Sequence, residues 1–451
     1  MRKVYKYVFI SFFMEERHRT LLIKQNPQWE NKKLELPKFE RNLIKKLERY
    51  IAHKQIIAIM GLRRVGKTII MKQIMSKLDV PEKNACYISF DDIDFQKYTL
   101  AEELINYFLE FSVKTKKRYL FLDEIQKLAN WQDLLKVYYD SEENLKIFIS
   151  GSASLEIKKS KETLAGRLLT FHLPIFTFKE FVRYHGMESE ISGEKIQREY
   201  DIKFLTRKEN YENLFRDYLI KGAFPELLKE NDWEFIRKYI QESVIEKTIT
   251  DISKITNSDE KEIYELFKLL NGSNAQLFEI TNLSNILKIN RNLVSYYLSL
   301  LEKSFLIKIV YNFTSSISKQ VRASKKQHCA HSSIVISSLG YPFEIINTEV
   351  SGRLVESVIA NSIEEKISFW RTAQKDEVDI VLNEKNFPIE VKYQSQIANN
   401  DFKPILKFLE RFKAKMGVLI TKNIFDIKKI DSKEILLIPA WLFLLLDDYG
   451  L

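Results

Sequence analysis

Cysteine is nearly absent from this chain: Cys86 and Cys329 are the only two in 451 residues, and they lie far apart. A small secreted domain held together by disulfides needs a denser set, so that class is excluded. His328 and His331 flank Cys329, but zinc takes three or four ligands and no second pair with suitable spacing occurs elsewhere. We therefore predict a structural or surface role for these side chains, no zinc site, and a reducing, cytoplasmic location.

Long hydrophobic runs are also missing, which excludes a membrane-spanning helix. The apolar stretch at residues 8–13 is too short for a signal-peptide core and runs into Glu15 and Glu16. The stretch at residues 435–446 is interrupted by Pro439 and is shorter than the roughly 20 residues of a bilayer span, so we expect it in a core. The choice between Met1 and Met14 as the start of the chain stays open.

Glycine is scarce, with 12 residues in 451, which makes a chance glycine motif rare. Even so, residues 61–68 read GLRRVGKT and fit the pattern G-x-x-x-x-G-K-[ST]. An apolar run at residues 56–59 precedes the motif and apolar residues at helical spacing follow it, which predicts a strand, a loop and a helix start. Such a loop presents backbone N–H groups to phosphates. We predict an ATP site formed by Gly61, Leu62, Arg63, Arg64, Val65, Gly66, Lys67, Thr68 and Ile69.

The polar residues of this loop have separate predicted tasks. The two glycines let the backbone turn and approach the phosphates closely. The Lys67 ammonium would reach the β- and γ-phosphates, and the Thr68 hydroxyl would ligate Mg²⁺. For Arg63 and Arg64 two interpretations remain, contact with phosphate or solvated loop positions.

A second stretch, YLFLDE at residues 119–124, supplies carboxylates for the same centre. It is a short apolar run ending in Asp123 and Glu124, typical of a buried strand, and we expect it beside the first strand in a parallel sheet. There Asp123 would belong to the Mg²⁺ shell and Glu124 would polarise the attacking water. The next strand, at residues 145–149, leads to Ser150 and Ser152. Either serine would sense the γ-phosphate, or both belong only to a strand-to-loop turn.

The charge balance favours an acidic partner. Lys and Arg number 71 against 61 Asp and Glu, which gives a net charge of +10 and suits nucleic acid. Residues 259–312 carry three segments with helical spacing and then a strand, which predicts a winged helix-turn-helix. Its recognition helix would begin at Asn290, Arg291 and Asn292 and grip DNA; the alternative is a module that only packs against its neighbours. A basic stretch follows, suited to phosphates or simply solvated: Lys319, Arg322, Lys325 and Lys326.

The C-terminal part of the chain holds another group of chemistry-bearing residues. Glu356 lies in a predicted helix, Asp379 in a predicted strand, and Glu390 and Lys392 on one face of the next strand. A hairpin can bring Asp379 beside the other strand. Two carboxylates and one ammonium would then surround a cation.

Several of these segments together resemble a known class of enzymes. GLRRVGKT, YLFLDEIQ, the strand ending in SGSAS and the later LAGRLLTFHLPIFTFKEF are similar to archaeal and bacterial AAA-type ATPases of the ASCE class, as are Trp131 and GAFP at residues 222–225. The resemblance implies ATP hydrolysis with Mg²⁺. It also implies an arginine that contacts the γ-phosphate, which we carry over to Arg167. Acting on a neighbouring subunit, it would require a homo-oligomer; the alternative is an exposed structural arginine.

The C-terminal set resembles a second family, the PD-(D/E)xK restriction-endonuclease-like fold. This resemblance implies that Asp379 and Glu390 bind Mg²⁺, that Lys392 stabilises charge, and that Glu356 assists from its helix. We therefore expect an α/β chain. Its predicted parts are an N-terminal extension (1–35), a P-loop ATPase core with a parallel sheet (36–180), a helical lid or linker (181–255), a winged-helix module (256–335) and a nuclease-like α/β domain (340–451).

Three function classes remain in play. The first is an ATPase acting on DNA with a nuclease-like tail, and the second is a STAND-type nucleotide switch whose C-terminal domains dock a protein. The third is a protein that binds ATP without hydrolysing it, and Glu124 argues against it. Asp379, Glu390 and Lys392 favour the first class, because a pure docking tail has no need of them. ATP, Mg²⁺ and DNA are the predicted ligands, and cleavage of nucleic acid stays open.

Overall fold

A computed structural model describes residues 15–151, 164–189, 207–314 and 324–447. The chain divides into two compact units, residues 1–174 and 175–451. Ser152, Lys319 and Arg322 lie outside the described residues, as do residues 190–206 of the predicted lid or linker. The bounds of the five predicted parts stay a prediction.

The first unit is built on a fully parallel five-stranded sheet. Four of its strands, β1 to β4, are short, largely apolar and almost entirely buried, as expected of a sheet covered on both faces, whereas the edge strand β5 is partly exposed. They run in the order β2-β3-β4-β1-β5. The strands are β1 Ile56–Met60, β2 Ala85–Ser89, β3 Arg118–Asp123, β4 Leu145–Gly151 and β5 Leu168–His172. The helices are α1 Glu16–Gln25, α2 Asn42–Glu48, α3 Lys67–Ser76, α4 Tyr98–Phe111 and α5 Trp131–Ser141.

The prediction that the strand ending in Asp123 lies beside β1 was wrong. β3 does not lie beside β1, because β4 is inserted between them and pairs in parallel with both. Phe148 of β4 faces Ile57 on one side and Phe121 on the other, and the two phenylalanine rings stack with their centroids 4.6 Å apart. The insertion places Ser150, near the end of β4, between the loop after β1 and the acids after β3.

The described part of the predicted N-terminal extension covers the edge of this sheet. The Asn26 side chain donates to the Tyr87 carbonyl at 2.8 Å and accepts from the Tyr87 N–H at 2.7 Å. The Gln25 side chain accepts from the Ser89 N–H, and the Trp29 indole donates to the Ala85 carbonyl. These side chains therefore pair the backbone of β2 where a further strand would otherwise do so.

The second unit begins with helices and a small antiparallel sheet in the order β6-β8-β7. Its first helices are α6 Phe178–Tyr184, α7 Lys208–Lys221, α8 Trp233–Lys238, a π-helix Tyr239–Glu246 and α9 Lys247–Thr256. Then follow α10 Glu260–Gly272, β6 Leu277–Phe278, α11 Ile280–Leu287, α12 Arg291–Lys303, β7 Ile307–Val310 and β8 Lys325–Cys329.

The C-terminal part of this unit is a six-stranded mixed sheet in the order β13-β14-β12-β11-β10-β9. β9, β10 and β11 form an antiparallel meander, whereas β12 runs parallel to β11 and β14 parallel to β12. Its strands are β9 Ile367–Arg371, β10 Glu377–Leu382, β11 Phe387–Val391, β12 Met416–Thr421, β13 Asp426–Ile430 and β14 Lys433–Pro439. Its helices are α13 Ser332–Leu339, α14 Ser351–Ser362, α15 Lys403–Arg411 and α16 Ala440–Phe443.

The apolar stretch at residues 435–446 is buried, as its sequence predicts, in β14, in α16 and in the turn that follows α16. Throughout the described ranges, none of the helices combines the length and the apolar composition that a bilayer span requires.

Candidate active site

The predicted phosphate loop lies at the carboxyl end of β1 and leads into α3. A Cβ atom on Gly61 would lie 2.4 Å from the Leu173 carbonyl oxygen, so no larger residue fits there without a backbone shift. Gly66 has φ +97° and stands at the N-terminus of α3, a conformation that side-chain-bearing residues rarely adopt. Both glycines are therefore required by the geometry of the loop.

Lys67 is buried and lies inside this loop. Its ammonium donates to the carbonyl oxygens of Gly61 at 3.1 Å and Leu62 at 2.9 Å. Arg63 is half-buried, whereas Arg64 is exposed and has φ +65°. Contact of either arginine with phosphate stays a prediction.

Arg41, which no sequence motif indicated, binds the backbone of the loop. It is 5% exposed, and its guanidinium donates to the Val65 carbonyl at 2.7 Å and to the Pro174 carbonyl at 2.9 Å. The rigid fork of an arginine suits two acceptors at fixed separation. Arg41 therefore ties the phosphate loop to the segment that follows β5.

The Asp123 carboxylate is the centre of a hydrogen-bond network at the end of β3. Its Oδ2 accepts from the Thr68 hydroxyl at 2.5 Å and from the Tyr87 hydroxyl at 2.6 Å. Its Oδ1 accepts from the Ser150 hydroxyl and from the Glu124 N–H. Thr68, Asp123 and Ser150, which come from three separate motifs, thus meet at one point.

Tyr87 is a member of this network that the sequence analysis missed. It is 4% exposed, and burial together with the negative charge of Asp123 raises the pKa of its hydroxyl far above the ordinary value. The hydroxyl therefore stays protonated and donates. The sequence shows only a tyrosine in the apolar run that forms β2. That pattern alone does not distinguish Tyr87 from an ordinary core residue.

Glu124 follows Asp123 with an unusual backbone conformation, φ +53°. For a residue other than glycine this costs of order 1–3 kcal/mol, and such strain clusters at functional sites. The side chain is half-buried, and its Oε2 accepts from the Gln126 amide at 2.5 Å. The left-handed turn directs the chain away from the strand immediately after the Asp123 carboxylate.

The donor set at this point fits Mg²⁺. Magnesium prefers oxygen ligands and is held in nucleotide sites by one or two protein oxygens together with phosphates. The Thr68 hydroxyl and the Asp123 carboxylate are such oxygens, and they already lie 2.5 Å apart. Thr68 and Asp123 are thus the residues that would hold the ion.

Arg167 directly precedes β5 and lies at the end of the sheet where β1 begins. Its carbonyl accepts from the N–H of Ile56, the first residue of β1, whereas the phosphate loop follows the last residue of that strand. The length of β1, about 3.3 Å per residue, separates the two. Its guanidinium makes a two-point ion pair with Asp140, with Nε–Oδ1 3.0 Å and Nη2–Oδ2 3.2 Å. Arg167 is therefore remote from the phosphate loop of its own chain.

The C-terminal sheet brings the second predicted set together. Asp379 of β10 and Glu390 of β11 accept backbone N–H groups across the hairpin: Glu390 Oε2 from Asp379 at 3.2 Å, and Asp379 Oδ2 from Val391 at 3.0 Å. Lys392 donates to Glu390 Oε1 at 2.6 Å. Burial and the charge of Asp379 raise the pKa of Glu390 to about 8. Burial opposes ionisation of Asp379 as well, but the charges of Lys326 and Lys392 hold its pKa below the ordinary value.

Lys326 is a further member of this set. Its position in a basic stretch predicted a side chain facing phosphates or solvent, but the side chain is 2% exposed. Its ammonium lies 3.0 Å from Glu356 Oε1, 2.6 Å from Glu377 Oε1 and 3.0 Å from Asp379 Oδ1. That interpretation was wrong because β8, on which Lys326 lies, turns this residue inward toward α14 and β10. Its neighbour Lys325 is only half-buried.

Within the described residues, no group of three or more His, Cys, Asp and Glu side chains is arranged to hold a metal ion. His328 and His331 are both buried, and each makes a hydrogen bond through Nδ1, to Ser357 and Ser333 respectively. The roles predicted for Asp379, Glu390, Lys392 and Glu356 in metal binding and cleavage stay predictions.

The start of α12 is exposed, as a nucleic-acid-binding helix requires. Asn290 caps the helix by accepting from the Leu293 N–H at 2.8 Å. Arg291 and Asn292 are exposed, and Tyr296, one turn further, is 43% exposed. This helix surface therefore offers a cation, an amide and an aromatic ring to solvent.

Residues 53–182 match a family model described as an AAA domain. Residues 212–343 and 345–443 match two further families, each described as a domain of unknown function (DUF8612 and DUF4143). Two proteins of Methanocaldococcus jannaschii are similar over most of the chain. Uncharacterized protein MJ1637 is 26% identical over 91% of this chain and 90% of its own, and uncharacterized protein MJ1544 is 25% identical over 90% and 92%.

Two solved structures are similar to parts of the chain. The STAND protein with a tetratricopeptide repeat sensor, PH0952 from Pyrococcus horikoshii, aligns with 72% of this chain at 11% identity and a TM-score of 0.28. This chain spans only 48% of that protein. AMPPCP-bound DnaA from Aquifex aeolicus aligns with 62% of this chain and 92% of its own, at 16% identity and a TM-score of 0.24. The family match and the geometry of the loop together support an AAA-type ATPase domain in residues 53–182.

Proposed function

We propose that this protein is a Mg²⁺-dependent ATPase that hydrolyses ATP to ADP and phosphate. The observation that carries the proposal is the meeting of Thr68, Asp123 and Ser150 at the end of the strand that precedes Glu124. A nucleotide-binding loop alone needs only the glycines and Lys67. Hydrolysis needs, in addition, a carboxylate held beside the magnesium ligands, and Glu124 provides it.

Each residue has a role in the proposed reaction. Lys67 exchanges its loop carbonyls for the β- and γ-phosphates, and Mg²⁺, when bound, offsets the charge on the phosphate oxygens. Glu124 takes a proton from water as the water oxygen bonds to the γ-phosphorus. The bond from that phosphorus to the bridging oxygen breaks, and its electron pair leaves with ADP. Ser150, already hydrogen-bonded to Asp123, would contact the γ-phosphate.

Two substitutions separate binding from hydrolysis. Lys67→Ala removes the buried ammonium of the loop, so we expect loss of nucleotide binding. Glu124→Gln keeps the shape and removes the base, so we expect retained ATP binding and a turnover reduced by about 10²–10⁴-fold, the usual contribution of a general base. Glu143→Gln, an exposed carboxylate of the same unit, is the matched control. Equal turnover in wild type and Glu124→Gln would rule out the assignment.

We further propose that ATP hydrolysis is coupled to DNA through α12. The order helix, strand, two helices and two strands from α10 to β8 supports a winged helix, in which the second helix of the pair enters the major groove. Arg291, Asn292 and Tyr296 provide the means to contact phosphate and bases. The net charge of +10 agrees with such a partner.

The test is the ATPase rate with and without single-stranded, duplex and branched DNA. We expect stimulation that Arg291→Ala reduces, whereas Lys268→Ala, an exposed lysine of α10, does not. If no form of DNA binds to the protein or changes its ATPase rate, the alternative is favoured. That alternative is a STAND-type switch whose C-terminal domains dock a protein.

The C-terminal sheet supports a restriction-endonuclease-like fold for residues 340–451. A helix, an antiparallel three-stranded meander, a second helix and a strand parallel to the last meander strand follow one another from α14 to β12. Asp379 on β10 and Glu390 on β11, the two carboxylates of the D…E-x-K pattern, lie on neighbouring strands of the meander, which supports the same fold. Fold and chemistry are separate questions, however, since a fold does not determine its activity.

A further inference from the structure

The carboxylates of the C-terminal sheet already surround a cation that belongs to the protein itself. Lys326 places its ammonium within 3.0 Å of oxygens from Glu356, Glu377 and Asp379. The helix and strand that carry these acids are the ones expected to position metal ligands. We infer that the Lys326 ammonium takes the place of a divalent ion in this cluster, so that the C-terminal domain neither binds Mg²⁺ nor cleaves phosphodiesters.

The remaining oxygens of the two predicted metal ligands are also occupied. Asp379 Oδ1 accepts from Lys326 and Oδ2 from the Val391 N–H. Glu390 Oε1 accepts from Lys392 and Oε2 from the Asp379 N–H. Each oxygen keeps a second lone pair, but a divalent ion bound there would share the carboxylate with an ammonium already held on it, Lys326 on Asp379 and Lys392 on Glu390.

The charge of the cluster is largely balanced without a metal. Four carboxylates, Glu356, Glu377, Asp379 and Glu390, face the cations Lys326, Lys392 and Arg371. The donor set therefore does not fit a doubly charged ion while Lys326 is in place.

Lys326 also joins two parts of the second unit. It lies on β8, in the sheet β6-β8-β7, whereas its three partners lie on α14 and β10 of the C-terminal part. A buried lysine with three acidic partners fixes the distance between these elements, because separating them would leave charges without counter-ions in a buried place. The cluster thus holds β8 against α14 and β10.

The inference is tested by Mn²⁺ binding to the full chain, measured by electron paramagnetic resonance with MnCl₂ alone. All variants carry Thr68→Ala, so that the phosphate loop lacks its metal-binding hydroxyl. We expect the protein that keeps Lys326 and Asp379 and its Asp379→Asn variant to have Mn²⁺ affinities that agree within about twofold. We also expect the two proteins to nick plasmid and branched DNA equally little, with Mg²⁺ or with Mn²⁺. A bound Mn²⁺ or a cleavage activity that Asp379→Asn abolishes would overturn the inference.

A second variant tests the role of the lysine itself. Lys326→Met removes the ammonium and keeps most of the side-chain volume, and we expect it to gain one Mn²⁺ per chain that Asp379→Asn removes again. Lys326→Met combined with Glu377→Gln removes one charge of each sign and provides the same test should the single variant fail to fold. A folded variant that gains no Mn²⁺ would show that something other than Lys326 excludes the ion.

Discussion

The Tyr87 hydroxyl donates a hydrogen bond to the Asp123 carboxylate, the proposed magnesium ligand. It shares Asp123 Oδ2 with the Thr68 hydroxyl, so it limits the directions in which that carboxylate can turn. We regard Tyr87 as a positioning residue for the proposed ATPase, because it touches Asp123 and not the phosphates.

We predict that Tyr87→Phe lowers kcat for ATP by about fivefold and leaves KM nearly unchanged, since one net hydrogen bond contributes about 1 kcal/mol. The apparent affinity for Mg²⁺ should fall in parallel, which a merely structural role would not produce. Tyr119→Phe removes a hydroxyl from the neighbouring strand β3 and is the control. An unchanged kcat and Mg²⁺ dependence in Tyr87→Phe would remove Tyr87 from the mechanism.

His331 makes the second unit sensitive to acid. Its Nδ1 accepts from the Ser333 N–H at 3.1 Å and caps α13, which requires an unprotonated nitrogen. Burial lowers the pKa of His331 to about 3. The unfolded chain binds a proton below pH 6.5 and the folded chain does not, so stability from this group is lost as the pH falls from 6.5 towards 3.

We predict that the unfolding free energy of wild type falls about 1.4 kcal/mol per pH unit more steeply than that of His331→Asn in this window, the value for one proton. Asparagine keeps the cap and carries no charge. Denaturant unfolding of the second unit at pH 6, 5 and 4 measures the difference. His185→Asn, an exposed histidine of the same unit, is the control. Parallel pH profiles for wild type and His331→Asn would contradict this prediction.

The roles of residues within one sequence motif could be predicted from the sequence. The roles of residues whose contacts are distant in the sequence could not. The loop motif specified Lys67 and Thr68 because their spacing alone defines the geometry. Arg41 and Tyr87 reach the site over 24 and 36 residues of sequence, to Val65 and Asp123, and no local pattern records such contacts. Lys326 was misplaced for the same reason, since its partners lie 30 residues or more further along the chain.

At the scale of elements, apolar runs and helical spacing predicted strands and helices close to where they lie. The apolar run in residues 119–124 is β3 Arg118–Asp123, and the first helical segment predicted in residues 259–312 is α10 Glu260–Gly272. The order of strands was not predictable in this way. Inserting β4 between β1 and β3 changes no local pattern, because all three strands are buried on both faces.

Asn26 makes the central two-point contact with the edge strand β2. Asn26 is fully buried and pairs both the N–H and the carbonyl of Tyr87. We predict that Asn26→Ala destabilises the first unit by about 1–3 kcal/mol, because two buried backbone groups lose their partner. Since Tyr87 also contacts Asp123, the ATPase rate should fall as well.

Thermal unfolding measures this loss, with about 2–4 °C expected for each kcal/mol in a unit of this size. Asn144→Ala, an exposed asparagine beside β4, is the matched control and should leave the midpoint unchanged. A midpoint for Asn26→Ala that equals the wild-type value would show that the edge is not held by this side chain.

At the scale of the whole molecule, the position of Arg167 bears on whether one chain hydrolyses ATP by itself or only in an assembly. Arg167 lies at the opposite end of β1 from the phosphate loop, and its side chain is 30% exposed while paired to Asp140. It is therefore excluded as a ligand of the nucleotide on its own chain. If it contacts ATP at all, it does so on a neighbouring copy in a head-to-tail assembly.

We predict that Lys67→Ala and Arg167→Ala are each inactive and that a 1:1 mixture regains about a quarter of the wild-type rate. In a head-to-tail ring of randomly mixed subunits, that is the share of sites with an intact loop on one side and an intact arginine on the other. ATPase assays on the mixture, with light scattering to follow assembly, measure it. A mixture of Lys67→Ala with Glu124→Gln should regain nothing, because both changes damage the same half of the site. If the first mixture also stays inactive while both variants assemble, Arg167 serves only its ion pair with Asp140, and each chain hydrolyses ATP with its own residues.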